Sequence, residues 1–105
     1  LTIVDAVVTL NAMPMNMDEW GIDVGLTGGQ KALSSIPGVS LCAFSSDAWR
    51  AVENHPGLRP HWCYDALRAQ RFWGAQQYHY TAPVPGVLAL HEALRLVAEE
   101  TLRCG

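Results

Sequence analysis

Lys31 is the only lysine in this 105-residue sequence, whose other six basic residues are arginines. It lies in the segment from Thr27 to Gly38, which is rich in small residues and turn formers and follows a short apolar run. Glycines in such a segment allow close approach of the backbone to a ligand, and ligands of open α/β sheets bind beyond strand ends. A lysine in such a pocket can form a Schiff base with an aldehyde. A solvated surface lysine is the competing interpretation, and composition and spacing alone favour it.

Asp5 interrupts the otherwise apolar run from Leu1 to Leu10. A carboxylate among apolar side chains is costly unless it is paired with a cation or well hydrogen-bonded. Asp5 is therefore either an acid that caps a turn at a strand end or an acid that holds a cationic ligand atom. Pyridoxal phosphate needs a lysine for its aldehyde and often an acid for its pyridinium nitrogen. Lys31 and Asp5 together point to that cofactor.

Strands and helices alternate along the chain that must position these two residues. Apolar runs predict strands over residues 1–10, 23–26 and 38–44, the first of them buried on both faces as in parallel sheets. A loop separates the first two strands. Helices are predicted from the cap at 45–47 to about residue 53, over 64–72, and from about residue 85 onward, where apolar residues recur at helical spacing. This order indicates an α/β architecture of one unit, a mostly parallel sheet with flanking helices.

Composition excludes several classes of protein. The net charge of -3 and the pI of about 5.7 argue against nucleic-acid binding, and no apolar run approaches the roughly 20 residues that cross a bilayer. The four histidines lack the spacing of a zinc site, and the three scattered cysteines suit a reducing compartment. Because the sequence lacks an initial Met and both ends look cut, we expect a segment of a longer protein.

Three motifs in register resemble the central part of class V, fold type I aminotransferases, specifically the alanine–glyoxylate and serine–pyruvate group. They are Val4 to Val7, Thr27 to Leu33 followed by Pro37 and Gly38, and Tyr78 to Val84. The resemblance extends over the whole chain. It implies that residues 1–105 are one segment of the large cofactor-binding domain, truncated at both ends, with pyridoxal 5'-phosphate as cofactor.

The same resemblance implies a role for each matching residue at the ring. Lys31 would hold the cofactor as a Schiff base and then move a proton between the substrate carbon and the cofactor. Asp5 would pair with the ring nitrogen, Val7 would pack on the ring face, and Gln30 would lie beside the cofactor near its phosphate. Many relatives have serine where this chain has Gly29, so a hydroxyl contact is absent here.

The Tyr78 and Thr81 hydroxyls, by the same resemblance, would donate to a phosphate held mainly by a partner chain, which makes a homodimer part of the active site. Other functional parts of the family have no matching position in this sequence. These are an upstream glycine-rich turn for the phosphate, an upstream aromatic residue or histidine on the ring, and a downstream arginine for the substrate carboxylate. The segment alone is therefore expected to be inactive.

The expected activity of the full-length parent is ping-pong transamination between alanine or serine and glyoxylate or pyruvate. We expect a cytoplasmic location, or a peroxisomal one in a eukaryotic parent, with no nucleic-acid or membrane partner. A class V lyase or cysteine desulfurase with the same lysine and aspartate is one alternative. A desulfurase would need a cysteine on a mobile loop, whereas Cys42 lies in a predicted strand and Cys63 near a predicted helix start. A catalytically incompetent fragment or dimerisation scaffold is the other.

Overall fold

The structure, a computed structural model, describes residues 1–58 and 61–104. Its elements in chain order are β1 (Ile3–Asp5), β2 (Val24–Gly28), β3 (Ser40–Phe44), α1 (Ser46–Glu53), a single 3₁₀ turn (Trp62–Tyr64), α2 (Ala66–Gly74) and α3 (Val84–Cys104).

The three strands form one sheet in the order β1-β2-β3. β1 and β2 are parallel, with Asp5 opposite Leu26, whereas β2 and β3 are antiparallel, with Gly28 opposite Ser40. The predicted α/β class is confirmed. The sheet among the described residues is mixed rather than mostly parallel, because β3 follows β2 through a short connection and not through a helical crossover.

The prediction of one long strand, buried on both faces, over residues 1–10 is wrong in length and in burial. The backbone turns directly after β1, where the Val7 amide donates to Asp5 Oδ1 at 3.0 Å. The amides of Thr9 and Leu10 then donate to the Ala6 carbonyl, each at 3.1 Å. β1 is also an edge strand, and its Ile3 is 66% exposed. A run of Val and Leu residues reports burial tendency but does not show where the backbone turns.

Cap residues explain where the first two helices begin. Ser45 Oγ accepts from the Ala48 amide at 3.1 Å, so α1 begins as predicted. Asp65 Oδ1 accepts from the amides of Leu67 and Arg68 at 3.1 and 3.2 Å. This cap begins α2 at Ala66, two residues later than predicted, and leaves Tyr64 in the 3₁₀ turn. The two caps satisfy amides that have no partner within their helices.

Asp23 joins three elements at the end of the sheet where β1 and β2 begin. Its Oδ2 accepts from the Thr2 amide and its Oδ1 from the Ser45 hydroxyl, both at 2.8 Å. These two hydrogen bonds, the Thr2 bond first, lower the pKa of the Asp23 carboxyl below its ordinary value of 3.8. The Ser45 amide also donates to the Asp23 carbonyl at 2.7 Å. One acid therefore fixes the starts of two strands and the cap of α1.

The buried apolar residues lie in the three helices and in the segments that flank the strands: Ala6, Ile22, Leu33, Ala48, Leu67, Leu90 and Ala93. α3 packs against the loop that joins β2 to β3. Leu90 reaches the backbone of Gly29, and the backbone of Gly86 lies so close to Val39 that a Cβ there would be 2.9 Å from Val39 Cγ2. α3 therefore supports the loop that carries Lys31. No helix in the described part of the chain is long and apolar enough to span a membrane.

Candidate cofactor site

The candidate site lies where β1 and β2 end. Because these strands are parallel, Asp5 at the end of β1 and Gly28 at the end of β2 lie at the same edge of the sheet. The Ala6 amide donates to the Leu26 carbonyl at 2.8 Å, and the buried Thr27 hydroxyl donates to the Ala6 carbonyl at 3.3 Å. These two bonds fix the positions of the two strand ends relative to each other.

A shallow cavity of about 320 Å³ opens at this edge. This volume is at the lower end of the range for small-molecule sites, roughly 300–1,000 Å³. Its lining includes three of the residues predicted to bind the cofactor, Asp5, Val7 and Gln30, together with Gly28 and Cys42. Residues predicted from separate parts of the sequence therefore meet in one cavity.

Asp5 presents a carboxylate oxygen that the local backbone does not use. Its Oδ1 accepts from the Val7 amide, which fixes the orientation of the side chain. Its Oδ2 has no hydrogen-bond partner within residues 1–58 and 61–104. Asp5 therefore caps a turn through one oxygen, and its role toward a cationic ligand atom stays a prediction.

Gln30 bends back over the end of β2. A Cβ at Gly28 would lie 2.8 Å from Gln30 Oε1, closer than side-chain atoms normally approach. Gly28 thus provides the space that the Gln30 amide occupies beside the cavity. At Gly29, by contrast, an added Cβ would make ordinary contacts of 3.6 Å. The backbone there would accept a small side chain such as that of serine.

Lys31 lies in the turn that directly follows Gln30, and it is exposed. Its side chain does not line the cavity, and its ammonium has no ion pair or hydrogen bond within the described residues. The backbone of the turn is nevertheless held, because the Lys31 carbonyl accepts from the Ser34 amide at 2.9 Å. Ser34 adopts a φ of +61°, a left-handed conformation that closes the turn.

Neighbouring segments hold the lysine turn at both sides. The Gly29 amide donates to the Val39 carbonyl at 3.1 Å, and the Ser35 amide donates to the Gly29 carbonyl at 2.8 Å. Asn11 Nδ2 donates to the Ala32 carbonyl at 3.2 Å from the loop after β1. Sequence reasoning missed Asn11, whose only signal was a turn-forming residue after an apolar run.

Tyr78 and Thr81 meet each other but do not line this cavity. The two hydroxyl oxygens are 2.7 Å apart, and both side chains are exposed, Tyr78 at 73%. Between them His79 is 3% exposed. The His79 side chain is therefore part of the core, whereas the two hydroxyls that flank it are at the surface of the described structure.

Comparison with known proteins identifies the family. The model of the family "Aminotransferase class-V" matches residues 1–103. The chain is 38% identical to alanine–glyoxylate aminotransferase of Oryctolagus cuniculus and 36% identical to serine–glyoxylate aminotransferase of Arabidopsis thaliana. Each match covers 97% of this chain but only 27% and 25%, respectively, of those proteins.

A comparison with a solved structure supports the same family. The crystal structure of alanine–glyoxylate aminotransferase from Nostoc sp. superimposes with a TM-score of 0.90 at 37% identity, over 95% of this chain and 27% of that one. The chain therefore spans about a quarter of the length of the relatives it matches. The family match, the sequence relatives and the fold agree, and the chain belongs to the class V aminotransferase family.

Proposed function

We propose that this chain is the central segment of a pyridoxal-phosphate-dependent aminotransferase in which Lys31 binds the cofactor covalently. The observation that carries the proposal is the position of Lys31. Its unpaired side chain follows the end of β2, in a turn held from both sides, next to a cavity that Asp5 and Gln30 line. The rest of the parent would supply the remaining parts of the site and of the large domain.

The residues present fit this cofactor. When bound, pyridoxal phosphate supplies an aldehyde and a ring that draws electrons from the substrate carbon. Asp5 Oδ2 would accept a hydrogen bond from the protonated ring nitrogen, and Val7 would pack against the ring face. Gln30 would lie beside the cofactor near its phosphate. The Lys31 amine would bind the aldehyde, and then hold and return the proton of the substrate carbon.

A homodimer completes the proposal. Tyr78 and Thr81 lie outside the cavity that Asp5 lines, so their hydroxyls are available to the phosphate of a second subunit. Hydroxyl groups that donate to a phosphate form charge-assisted hydrogen bonds, which are stronger than neutral ones. Each active site would then need residues from two copies of the chain.

The relatives point to the substrates. The rabbit, Arabidopsis and Nostoc proteins are named for glyoxylate as one substrate, with alanine or serine as the other. We propose an alanine- or serine-dependent transamination with glyoxylate or pyruvate as acceptor. Cys42 and Cys63 lie in β3 and in the 3₁₀ turn, and neither position favours a desulfurase, which needs a cysteine on a mobile loop. Free thiols at these two positions agree with a cytoplasmic protein, or a peroxisomal one in a eukaryote.

The test uses the native-length product of the reading frame that contains this chain. With L-alanine or L-serine and no acceptor, the cofactor absorbance should change from the aldehyde form to the amine form, and glyoxylate should reverse the change. Lys31→Ala should abolish the amino-group transfer. Arg103→Ala, which removes an exposed cation near the end of α3, is the matched control and should leave it unchanged. Full transfer by the Lys31→Ala protein would refute the proposal.

A further inference from the structure

The segment that carries Tyr78 and Thr81 is anchored through the buried ring of His79. Four aromatic side chains surround this imidazole, and together they form what we call the aromatic mount: Trp62, Phe72, Trp73 and Tyr80. Phe72 stacks on the imidazole with centroids 5.4 Å apart and an interplanar angle of 26°. Both ring nitrogens of His79 are buried and have no hydrogen-bond partner within the described residues. The ring therefore acts through its shape and its stacking.

Trp62 adds the polar contact that fixes the backbone of this segment. Its indole N–H donates to the His79 carbonyl at 2.7 Å, across 17 residues of sequence. The Trp62 ring is itself held, because the Arg68 guanidinium lies 4.5 Å from its centroid. Arg68 Nε in turn lies 3.4 Å from Oδ2 of the buried Asp65, the cap of α2. The start of α2 is thus connected to the His79 backbone through Trp62.

Tyr78 and Thr81 lie on either side of this anchor. With His79 buried and its carbonyl fixed, the two flanking side chains point outward and their hydroxyls meet at 2.7 Å. We propose that Trp62 and His79 are positioning residues that hold the Tyr78–Thr81 hydroxyl pair ready for a phosphate. The inference rests on the function proposed above. It extends that function to residues that never touch the cofactor.

The physical basis is preorganisation. A loop that must be ordered during binding loses conformational entropy, so fixing it beforehand increases affinity without a new contact. Without the Trp62 donor, the His79 carbonyl loses its indole partner and the segment can move. The effect should be confined to ligands that carry a phosphate, because the mount holds only the phosphate-facing hydroxyls.

The experiment compares pyridoxal phosphate with pyridoxal, which lacks the phosphate, as ligands of the native-length apoprotein. Trp62→Phe keeps an aromatic ring but removes the N–H donor. A net hydrogen bond contributes about 0.5–1.5 kcal/mol, so the Kd for pyridoxal phosphate should rise about 2- to 10-fold. The Kd for pyridoxal should stay unchanged, and this also shows that the variant has folded.

Trp73→Phe is the matched control. Trp73 also contacts His79, edge-on at 5.7 Å, but its indole makes no hydrogen bond within the described part of the chain. The same substitution there should leave both Kd values unchanged. At His79 itself, His79→Phe should preserve the preference for the phosphate-bearing ligand, whereas His79→Ala should reduce it.

The outcomes separate this inference from the proposed function. If the double variant Tyr78→Phe/Thr81→Val weakens the binding of pyridoxal phosphate selectively but Trp62→Phe does not, the positioning role is refuted and the phosphate role of the pair stands. If the same double variant has no selective effect, the proposed phosphate contact itself fails. Equal losses of both ligands in Trp62→Phe would indicate general destabilisation and would also refute positioning.

Discussion

Tyr78→Phe removes one hydroxyl from a pair whose oxygens are 2.7 Å apart. Two hydroxyls carry two protons, and one proton is used in the bond between them. While that bond is intact, the pair has a single proton left to donate to a phosphate. A single variant still has one hydroxyl proton, which it can donate to the phosphate, so only the double variant loses the donor altogether.

The expected magnitude follows from this proton count. A hydrogen bond to a charged group contributes about 1.5–3 kcal/mol, which corresponds to an increase of about 10- to 100-fold in the Kd for pyridoxal phosphate. Tyr78→Phe and Thr81→Val should each give a smaller increase than this, because one hydroxyl can still donate to the phosphate. The double variant has no donor left and should give the full increase of about 10- to 100-fold, whereas two independent contacts would multiply to about 100- to 10,000-fold.

The assay is a double-mutant cycle on the native-length apoprotein, with the Kd measured by the absorbance of bound cofactor. Pyridoxal serves as the control ligand, because it lacks the phosphate and should bind all four proteins equally. Additive free-energy losses would refute the shared-proton reasoning, since each hydroxyl would then donate separately. Unchanged Kd values for pyridoxal phosphate in all variants would refute the phosphate role of the pair.

Two further predictions concern the frame of the site. Asp23→Asn should lower the free energy of unfolding near neutral pH. The difference in stability between the variant and the parent should shrink in acid. A carboxyl with a lowered pKa stabilises the fold at pH values above its unfolded pKa of 3.8, and it loses that effect as the pH falls through its folded pKa. A difference that stays constant in denaturant titrations at several pH values would contradict this. Gly28→Ala should change the free energy of unfolding by less than about 1 kcal/mol, because the new methyl meets only the movable end of Gln30. It should nevertheless weaken cofactor binding, and in a Gln30→Ala background it should have no further effect; an equal loss in that background would show that Gln30 is not the cause.

Local signals in the sequence predicted the parts of the fold that depend on local chemistry. The residues from Ser45 to Asp47 predicted a helix cap, and Ser45 Oγ accepts a hydrogen bond from the Ala48 amide where α1 begins. The apolar spacing from residue 85 onward predicted α3, whose Leu90 is buried. In both cases the decisive interaction lies within a few residues, so that spacing and side-chain type are sufficient.

Interactions between distant residues were beyond the reach of the sequence. The Asn11 bond to the lysine turn and the Trp62 bond to His79 cross 21 and 17 residues, and neither produces a local pattern. The prediction of the length of β1 was wrong for a related reason, since the turn after Asp5 depends on a hydrogen bond to the Asp5 side chain and not on hydrophobicity. The residues of the candidate site were predicted from the resemblance of their motifs, whereas the long-range hydrogen bonds that hold these segments were found only in the structure.

The central claim is that Lys31 carries the cofactor, and reduction with borohydride tests it most directly. The native-length protein would be incubated with pyridoxal phosphate, reduced and digested, and the peptides would be mapped by mass spectrometry. Pyridoxamine phosphate, which has no aldehyde, is the control and should leave no adduct. The account predicts a reduced pyridoxyl group on the peptide that contains Lys31, the only lysine of this chain. An unmodified Lys31 in folded protein would contradict it.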